Sequence, residues 1–374
     1  MAETTMQELA EFGQSVWLDY ISRSLIDSGK LQEMIDKGVR GMTSNPSIFD
    51  KAISNSADYD EKIKELHQQG KSTFDIYDDL TIMDIQDAAD LFRPLYEKTH
   101  GLDGYISLEI NPKLAYKVKE TIEEGKRLHR KVNRPNVMFK VPSTDEGFAA
   151  IEALLAEGIN VNVTLIFSLN QYINTAKAYM RGLENCLHGG GNVSKVCSVA
   201  SVFVSRVDTL IDKLIEEKLA GKKNDAVRSK LISLKGRAAV ANSAIIYGKY
   251  REIFFDAQFE SLRKQGANVQ RLLWGSTSTK NPAYNDIKYV AELIGKETVN
   301  TVPEGTIYAF LDHGKVGEAL TGDTKAASKI IDDLMNVDID INDVCRKLLD
   351  DGVVAFEKSF DSLMNAIEKK REKI

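Results

Sequence analysis

The chain has 374 residues, of which 43% are hydrophobic and 28% charged, the balance of an ordinary soluble globular protein. Its formal net charge of −6 argues against a general nucleic-acid binder, which needs a basic face to neutralise phosphates. No apolar run approaches the roughly 20 residues that cross a bilayer, so no membrane partner is expected. The N-terminus, MAETTMQELAEFG, has neither the basic start nor the apolar centre of a signal peptide. Three cysteines, Cys186, Cys197 and Cys345, are an odd number without paired spacing, which points away from a disulfide framework. A cytoplasmic protein is expected.

In chain order, short β-branched runs alternate with long amphipathic stretches. SVWLD (15–19) predicts a first strand, followed by a helical pattern, LIDSGKLQEMIDKG, over 25–38. GMTSN (41–45) predicts the second strand, and extra helices are needed over 50–98 before the third, GYISLEI (104–110). The helical LAYKVKETIEEGKRLHRKV (114–132) then leads to the strand NVMFKVP (136–142). DEGFAAIEALLAEG (145–158) precedes VNVTLIF (161–167), and LNQYINTAKAYMRGLENCL (169–187) precedes KVCSVASVF (195–203). More helices are expected within 205–265, before RLLWGS (271–276) and TVNTV (298–302), and again over 315–374. LHGGGNV (187–193) and AGKKND (220–225) read as flexible spots. No segment is rich enough in Pro, Gly or Ser to divide the chain, so a single domain over 1–374 is expected.

Strands alternating with helices imply right-handed βαβ units and a parallel sheet. Eight repeats match an α/β fold of the closed (β/α)8 TIM-barrel type with additional helices, whose functional groups sit at the C-terminal ends of the strands. An open doubly wound sheet has the same periodicity. Because side chains alternate faces along a strand, each run can be divided into an outer and an inner set. In NVMFKVP, Val137, Phe139 and Val141 form the outer face, leaving Met138 and Lys140 inside. The same test turns Asn162, Thr164 and Ile166 inward on VNVTLIF, and Tyr105, Ser107 and Glu109 inward on YISLEI. On SVWLD it turns Asp19 inward with Ser15 and Trp17.

Each polar residue has a simpler reading. Asp19 or Asn45 alone, after a strand, fits a helix cap. Glu109 fits an exposed loop position, and Lys140 alone could extend its amine into water. Together they resemble a catalytic group. A lysine walled by apolar side chains loses ammonium solvation, which favours the neutral amine. Such an amine attacks a ketone or aldehyde and forms a Schiff base, an electron sink for breaking an adjacent carbon–carbon bond. Asp19 and Glu109 are suited to the proton transfers this requires.

The five histidines lack metal-ligand spacing, so no metal is expected. His188-Gly189-Gly190-Gly191 lacks the G-x-S-x-G of an esterase, and no dinucleotide or P-loop glycine pattern occurs. Asp338-Ile339-Asp340-Ile341-Asn342-Asp343 begins like a calcium loop but lacks the sixth-position glycine and has Leu349 at the twelfth, so helix-flanking acidity is expected. Ala238, Ala241, Ile245 and Gly248 read as helix-packing surface.

The segments LDYISR (18–23), GMTSNPSIF (41–49), SLEINP (107–112), VMFKVPST (137–144), NVNVTLIFSLNQY (160–172), SVASVFVSRVD (198–208) and WGSTSTKNPAY (274–284) carry a resemblance. In this order, the chain resembles the transaldolase family in its longer bacterial form. The resemblance implies a (β/α)8 barrel that moves a dihydroxyacetone unit between sugar phosphates in the pentose phosphate pathway, with no metal or organic cofactor. It implies Lys140 as the Schiff-base lysine, Asp19 as acid/base, and Glu109 with Thr164 acting through a water. Asn45 and Asn162 match the asparagines that hold donor hydroxyls, and Ser201 and Arg206 match the strand-six serine and a phosphate-binding arginine. Phe203 matches a position beside the strand-six site where related fructose 6-phosphate aldolases have tyrosine. Ser278 and Lys280 fall where the family commonly has serine and arginine, and lysine neutralises phosphate only as a point charge. An aldolase of the same barrel that releases dihydroxyacetone, and a catalytically silent sugar-phosphate-binding barrel, are the alternatives. The additional helices either cover the barrel's ends or form the contact of a homodimer.

Overall fold

The computed structural model describes residues 3–220 and 224–373. Eight strands, β1 (Gln14–Leu18), β2 (Val39–Thr43), β3 (Tyr105–Glu109), β4 (Val137–Pro142), β5 (Val161–Ile166), β6 (Ser198–Phe203), β7 (Arg271–Gly275) and β8 (Thr298–Val302), pair in parallel and in chain order. β1 also pairs with β8, which closes the barrel and excludes the open doubly wound sheet. Every predicted strand is present. The sixth is shorter at its start than KVCSVASVF, because Val193–Lys195 form a 3-10 turn.

Three helices contain turn chemistry that periodicity concealed. The pattern over 25–38 is two helices, Arg23–Asp27 and Lys30–Asp36, broken at Gly29 with φ 79°, a left-handed conformation that suits glycine. The pattern over 114–132 becomes a 3-10 turn at Pro112–Leu114 and a helix beginning only at Val118, with the Thr121 hydroxyl donating back to the Leu114 carbonyl at 2.8 Å. The helix Leu169–His188 starts with a reciprocal cap between Ser168 and Gln171 and ends at the glycine run of the predicted LHGGGNV loop. Residues 221–223 of AGKKND lie outside the described residues.

The barrel interior is filled by Trp17, Tyr105, Met138, Val199, Leu273 and Val299, one layer of inward side chains from six strands. Gly41 on β2 makes room for the largest of them, since a Cβ there would stand 2.6 Å from the Trp17 ring. Below this layer, Arg271 lies 3.0 Å from Asp103, and Ser15 Oγ donates to Asp103 at 2.7 Å. This buried, fully bonded group closes the N-terminal end. The outward residues of the strands belong instead to the apolar layer beneath the helices, where full burial of each large side chain contributes about 1.5–3 kcal/mol.

Alternation fails within β5. Ile166, expected inside, belongs to the outer layer and pairs with outward-facing Val202. The cause is Leu165, whose φ of 59° interrupts the β5–β6 register and reverses the parity of the last residue. The freed Leu165 carbonyl accepts from Ser143 Oγ at 3.0 Å and Gln171 Nε2 at 3.1 Å.

Additional helices follow β2, β6 and β8. Pro46–Ser54, Asp60–Gln68 and Thr73–Lys98 lie between β2 and β3, and Ser205–Ala220, Asp225–Leu234, Ala238–Phe255 and Ala257–Lys264 between β6 and β7. After β8 come Glu304–His313, Lys325–Met335 and the long C-terminal helix Ile341–Glu372. Asp340 caps that last helix, accepting from the Asn342 N–H at 2.8 Å, which matches the helix-flanking reading of the acidic run. Gly248 packs Ala238–Phe255 against Thr324, as the small-residue stripe suggested. The C-terminal helix touches Pro46–Ser54, the turn after β3, the end of β5 and the helix after β6, and so crosses the C-terminal end of the barrel. Among the described residues no helix is long and apolar enough to cross a membrane.

Candidate active site

Parallel pairing sets the register of the central groups. Glu109 on β3 is the partner of Lys140 on β4, and Lys140 is the partner of Asn162 on β5. Three polar residues on adjacent strands therefore stand level, all facing the barrel axis. Lys140 Nζ lies 2.8 Å from Glu109 Oε2 and donates to the Ser44 carbonyl at 3.0 Å. Asn162 Nδ2 donates to Ser107 Oγ at 3.0 Å, and its Oδ1 accepts from Ser201 Oγ at 2.6 Å. One turn of the pleat higher on β5, Thr164 Oγ1 is buried without a hydrogen-bond partner in the protein.

Asp19 stands just beyond β1, its N–H bonded to the Val302 carbonyl. It is not a helix cap. Its Oδ1 accepts from Thr43 Oγ1 at 2.8 Å, and Thr43 lies 2.6 Å from Thr301 Oγ1. Since Thr43 has one proton and gives it to Asp19, Thr301 must donate to Thr43. Asn45 Oδ1 accepts from the Ile48 N–H at 3.0 Å as the cap of Pro46–Ser54, and the residue also lines the mouth.

A cavity of about 420 Å³ opens at this end of the barrel. Its lining includes Asp19, Asn45, Lys140, Thr164, Ser201, Phe203, Arg206, Ser278 and Lys280. Glu109 and Asn162 do not line it; they stand behind Lys140 and Ser201 and bond to them. Arg206 lies over the Phe203 ring, 5.2 Å from its centroid, and Lys280 Nζ donates to Ser278 Oγ at 2.7 Å. Asp19 is the only carboxylate among the lining residues, which include four cations, Lys51, Lys140, Arg206 and Lys280. Such a mouth suits an anionic substrate.

Burial shifts these groups. It pushes the Asp19 carboxyl above the ordinary carboxylate range, against the opposing hydrogen bond from Thr43 and the charges of Lys140, Lys280 and Arg206. Burial also raises Glu109, against the attraction of Lys140, and lowers Arg206, against that of Asp19. A carboxylate raised in this way is a better proton carrier near neutrality.

Several contributors, Lys51 on the rim among them, escaped the sequence reading. Thr43 and Thr301 share the inward parity of Gly41 and Val299, so the alternation test on GMTSN and TVNTV would have found them. The Ser44 carbonyl and Phe356 had no such signal, because a backbone acceptor and a residue of the C-terminal helix reach the site only through the fold.

The model of the transaldolase/fructose-6-phosphate aldolase family matches residues 16–367. A transaldolase of Trichodesmium erythraeum (strain IMS101) is 46% identical over 377 residues, covering 100% of this chain and 99% of that protein. Transaldolase 2 of Nostoc sp. (strain PCC 7120) is 46% identical over 99% of this chain and 98% of its own length. A transaldolase of Saccharopolyspora erythraea is 44% identical over 98% and 97% respectively. This chain therefore belongs to the transaldolase/fructose-6-phosphate aldolase family.

Proposed function

We propose that the protein transfers a dihydroxyacetone unit from a ketose phosphate, sedoheptulose 7-phosphate or fructose 6-phosphate, to an aldose phosphate, glyceraldehyde 3-phosphate or erythrose 4-phosphate. The transfer passes through a Schiff base on Lys140 and serves the non-oxidative pentose phosphate pathway in the cytoplasm. The observation that carries this reading is Lys140 Nζ, 2.8 Å from Glu109, at the base of a mouth that also presents Asp19 and is rimmed by Arg206 and Lys280.

In this mechanism Glu109 accepts a proton from Nζ, and the neutral amine attacks the ketose C2 carbonyl. Loss of the carbonyl oxygen as water, assisted by Glu109 and Thr164, leaves an iminium. Asp19 takes the proton of the C4 hydroxyl, the C3–C4 bond breaks, and its electrons move toward the iminium nitrogen. The aldose phosphate departs, and the enamine attacks the aldehyde of the acceptor, whose oxygen recovers the proton from Asp19. Hydrolysis then frees the new ketose and Lys140. Asn45, Asn162 and Ser201 hold donor hydroxyls, while Arg206, Ser278 and Lys280 hold phosphate. Arg206 offers a planar fork and Lys280 a point charge.

Borohydride reduction in the presence of fructose 6-phosphate, followed by peptide mass mapping, is expected to place a stable adduct on Lys140. The Lys140→Met variant is expected to lose the adduct and on the order of 10³-fold or more in turnover. An adduct on a different lysine would overturn the assignment. Phe203, which has no hydroxyl to assist water, supports transfer over simple cleavage. A coupled assay with and without erythrose 4-phosphate separates the two: free dihydroxyacetone produced as fast without acceptor would favour the aldolase. The homodimer is part of the same proposal, and light scattering showing only a monomer would remove it.

A further inference from the structure

Lys140 has a third neighbour besides Glu109 and the Ser44 carbonyl. Its Nζ lies 5.7 Å from the centroid of the Phe356 ring, within the range of a cation–π contact. Phe356 is buried, lines the cavity, and comes from the C-terminal helix Ile341–Glu372, outside the barrel's repeating units. One helical turn earlier, Gly352 allows that helix to approach the strand ends. A Cβ at Gly352 would stand 3.0 Å from Leu165 Cδ2, at the residue whose left-handed backbone ends the β5 alternation. Gly352 and Phe356, four residues apart, lie on one face of the helix, so the close seat and the ring over Lys140 are parts of one contact.

We propose that Phe356 is a catalytic residue, whose ring face holds the positive charge on the Lys140 nitrogen when the Schiff base forms. This rests on the reading of Lys140 as the Schiff-base lysine. The reason lies in the hydrogen-bond inventory of that nitrogen. An ammonium has three N–H donors; this one donates to the Ser44 carbonyl and is ion-paired with Glu109. On attack, the nitrogen lone pair forms the C–N bond; the C–O bond then breaks, and the oxygen leaves as water after taking two protons. The resulting iminium carries the full charge but a single N–H, so it can donate to only one of the two acceptors. Glu109 relays protons from the nitrogen to the departing oxygen and is ionised again once the water has left, so its charge is engaged in proton transfer while the iminium forms. The ring acts on the charge itself and needs no N–H. Its contribution therefore survives the step that removes hydrogen bonds. The ring also covers the nitrogen from the side of the C-terminal helix, which limits the approach of water to the intermediate.

The test replaces Phe356 with phenylalanines bearing one, two and three ring fluorines, which progressively remove the negative ring face while nearly preserving its shape. Turnover with fructose 6-phosphate and erythrose 4-phosphate is expected to fall stepwise along the series, reaching roughly 3- to 30-fold. KM for the acceptor, which does not bond to Lys140, is expected to stay within about twofold. Phe356→Trp is expected to retain turnover better than Phe356→Leu. Borohydride adducts are mapped in the same samples. A flat fluorination series with the adduct still on Lys140 would overturn the role of Phe356 and leave the Schiff-base reading standing. A wild-type adduct on another lysine would overturn both.

Discussion

Lys140 and Asp19 illustrate opposite ways of holding a charge inside a barrel. Lys140 is matched by a carboxylate, a carbonyl and a ring, whereas Asp19 receives a single hydroxyl hydrogen bond from Thr43. Burial therefore dominates at Asp19 and raises its carboxyl above the ordinary range. An acid raised on folding binds its proton more tightly in the native state. Its ionised form opposes folding at pH values above the folded pKa, and that penalty is relieved as pH falls through it. Asp19→Asn keeps an oxygen for Thr43 but removes the charge. We expect turnover to fall by roughly 10²- to 10⁴-fold, with the thermal midpoint at pH 7.5 rising by roughly 1–3 °C. Steady-state assays and calorimetry on the same preparation check both directions. Lost activity with lost stability would mean that Asp19 supports the fold instead of serving the reaction.

The segment after β7 carries Ser278 and Lys280, and its position depends on contacts well away from the cavity. Tyr284 Oη donates to Asp212 at 2.6 Å, and Tyr289 Oη donates to Asp208 at 2.8 Å. Both carboxylates also accept backbone N–H groups, Asp212 from Gly236 at 2.9 Å and Asp208 from Ala239 at 2.7 Å. Gly236, with φ 68°, makes space for the Tyr284 ring, because a Cβ there would lie 2.6 Å from it. The segment is thus tied to Ser205–Ala220 and, through the same carboxylates, to the start of Ala238–Phe255. Removing one hydrogen bond to a charged acceptor costs about 1.5–3 kcal/mol locally. Tyr284→Phe is expected to raise KM for phosphorylated acceptors by roughly 3- to 10-fold, with kcat within about twofold. Comparing erythrose 4-phosphate with unphosphorylated glyceraldehyde checks this, since only the phosphorylated acceptor should suffer. An equal rise for both would show a general loosening of the mouth.

Across the molecule, several buried carboxylates favour acidic conditions. Burial pushes Asp84 and Asp208 up to about 6, against hydrogen bonds from Tyr59 to Asp84 and from Ala239 and Tyr289 to Asp208. Their unfolded values lie near 3.9, so the native state binds more protons than the unfolded chain between about pH 4 and 6. Stability then rises as pH falls through 6. Below that window the sign reverses. Arg134 holds Asp90 below the ordinary range, and at Asp78 the bonds from Arg127 and Lys131 outweigh burial. Those contributions disappear as the two groups protonate. His129, lowered by burial, and His313, raised by Asp286 and Asp312, act in opposite directions. The urea midpoint is expected to be higher at pH 5 than at pH 7.5 and to fall again below about pH 4. A midpoint that drops steadily from pH 7.5 to 5 would contradict this balance.

Strand identity, helix regions and the inward direction of Lys140, Glu109, Asn162, Thr164 and Asp19 were legible from two-residue alternation, because a strand's faces depend only on local backbone geometry. That rule failed at Ile166, where a left-handed Leu165 changes the parity, and no spacing in VNVTLIF announces a positive φ. The break at Gly29 was available from the residue type, but the apolar pattern ran through it. Asn45 shows why a helix cap and a cavity-lining residue need not be alternatives: one residue is both. The level placement of Glu109, Lys140 and Asn162 depends on inter-strand register, and the approach of Phe356 depends on where a helix some 200 residues later comes to rest. Local chain geometry decides which way a side chain points. Which groups meet it, at what distance and with how much water excluded, is decided by long-range packing, because hydrogen bonds, ion pairs and desolvation act between segments that the chain order keeps apart.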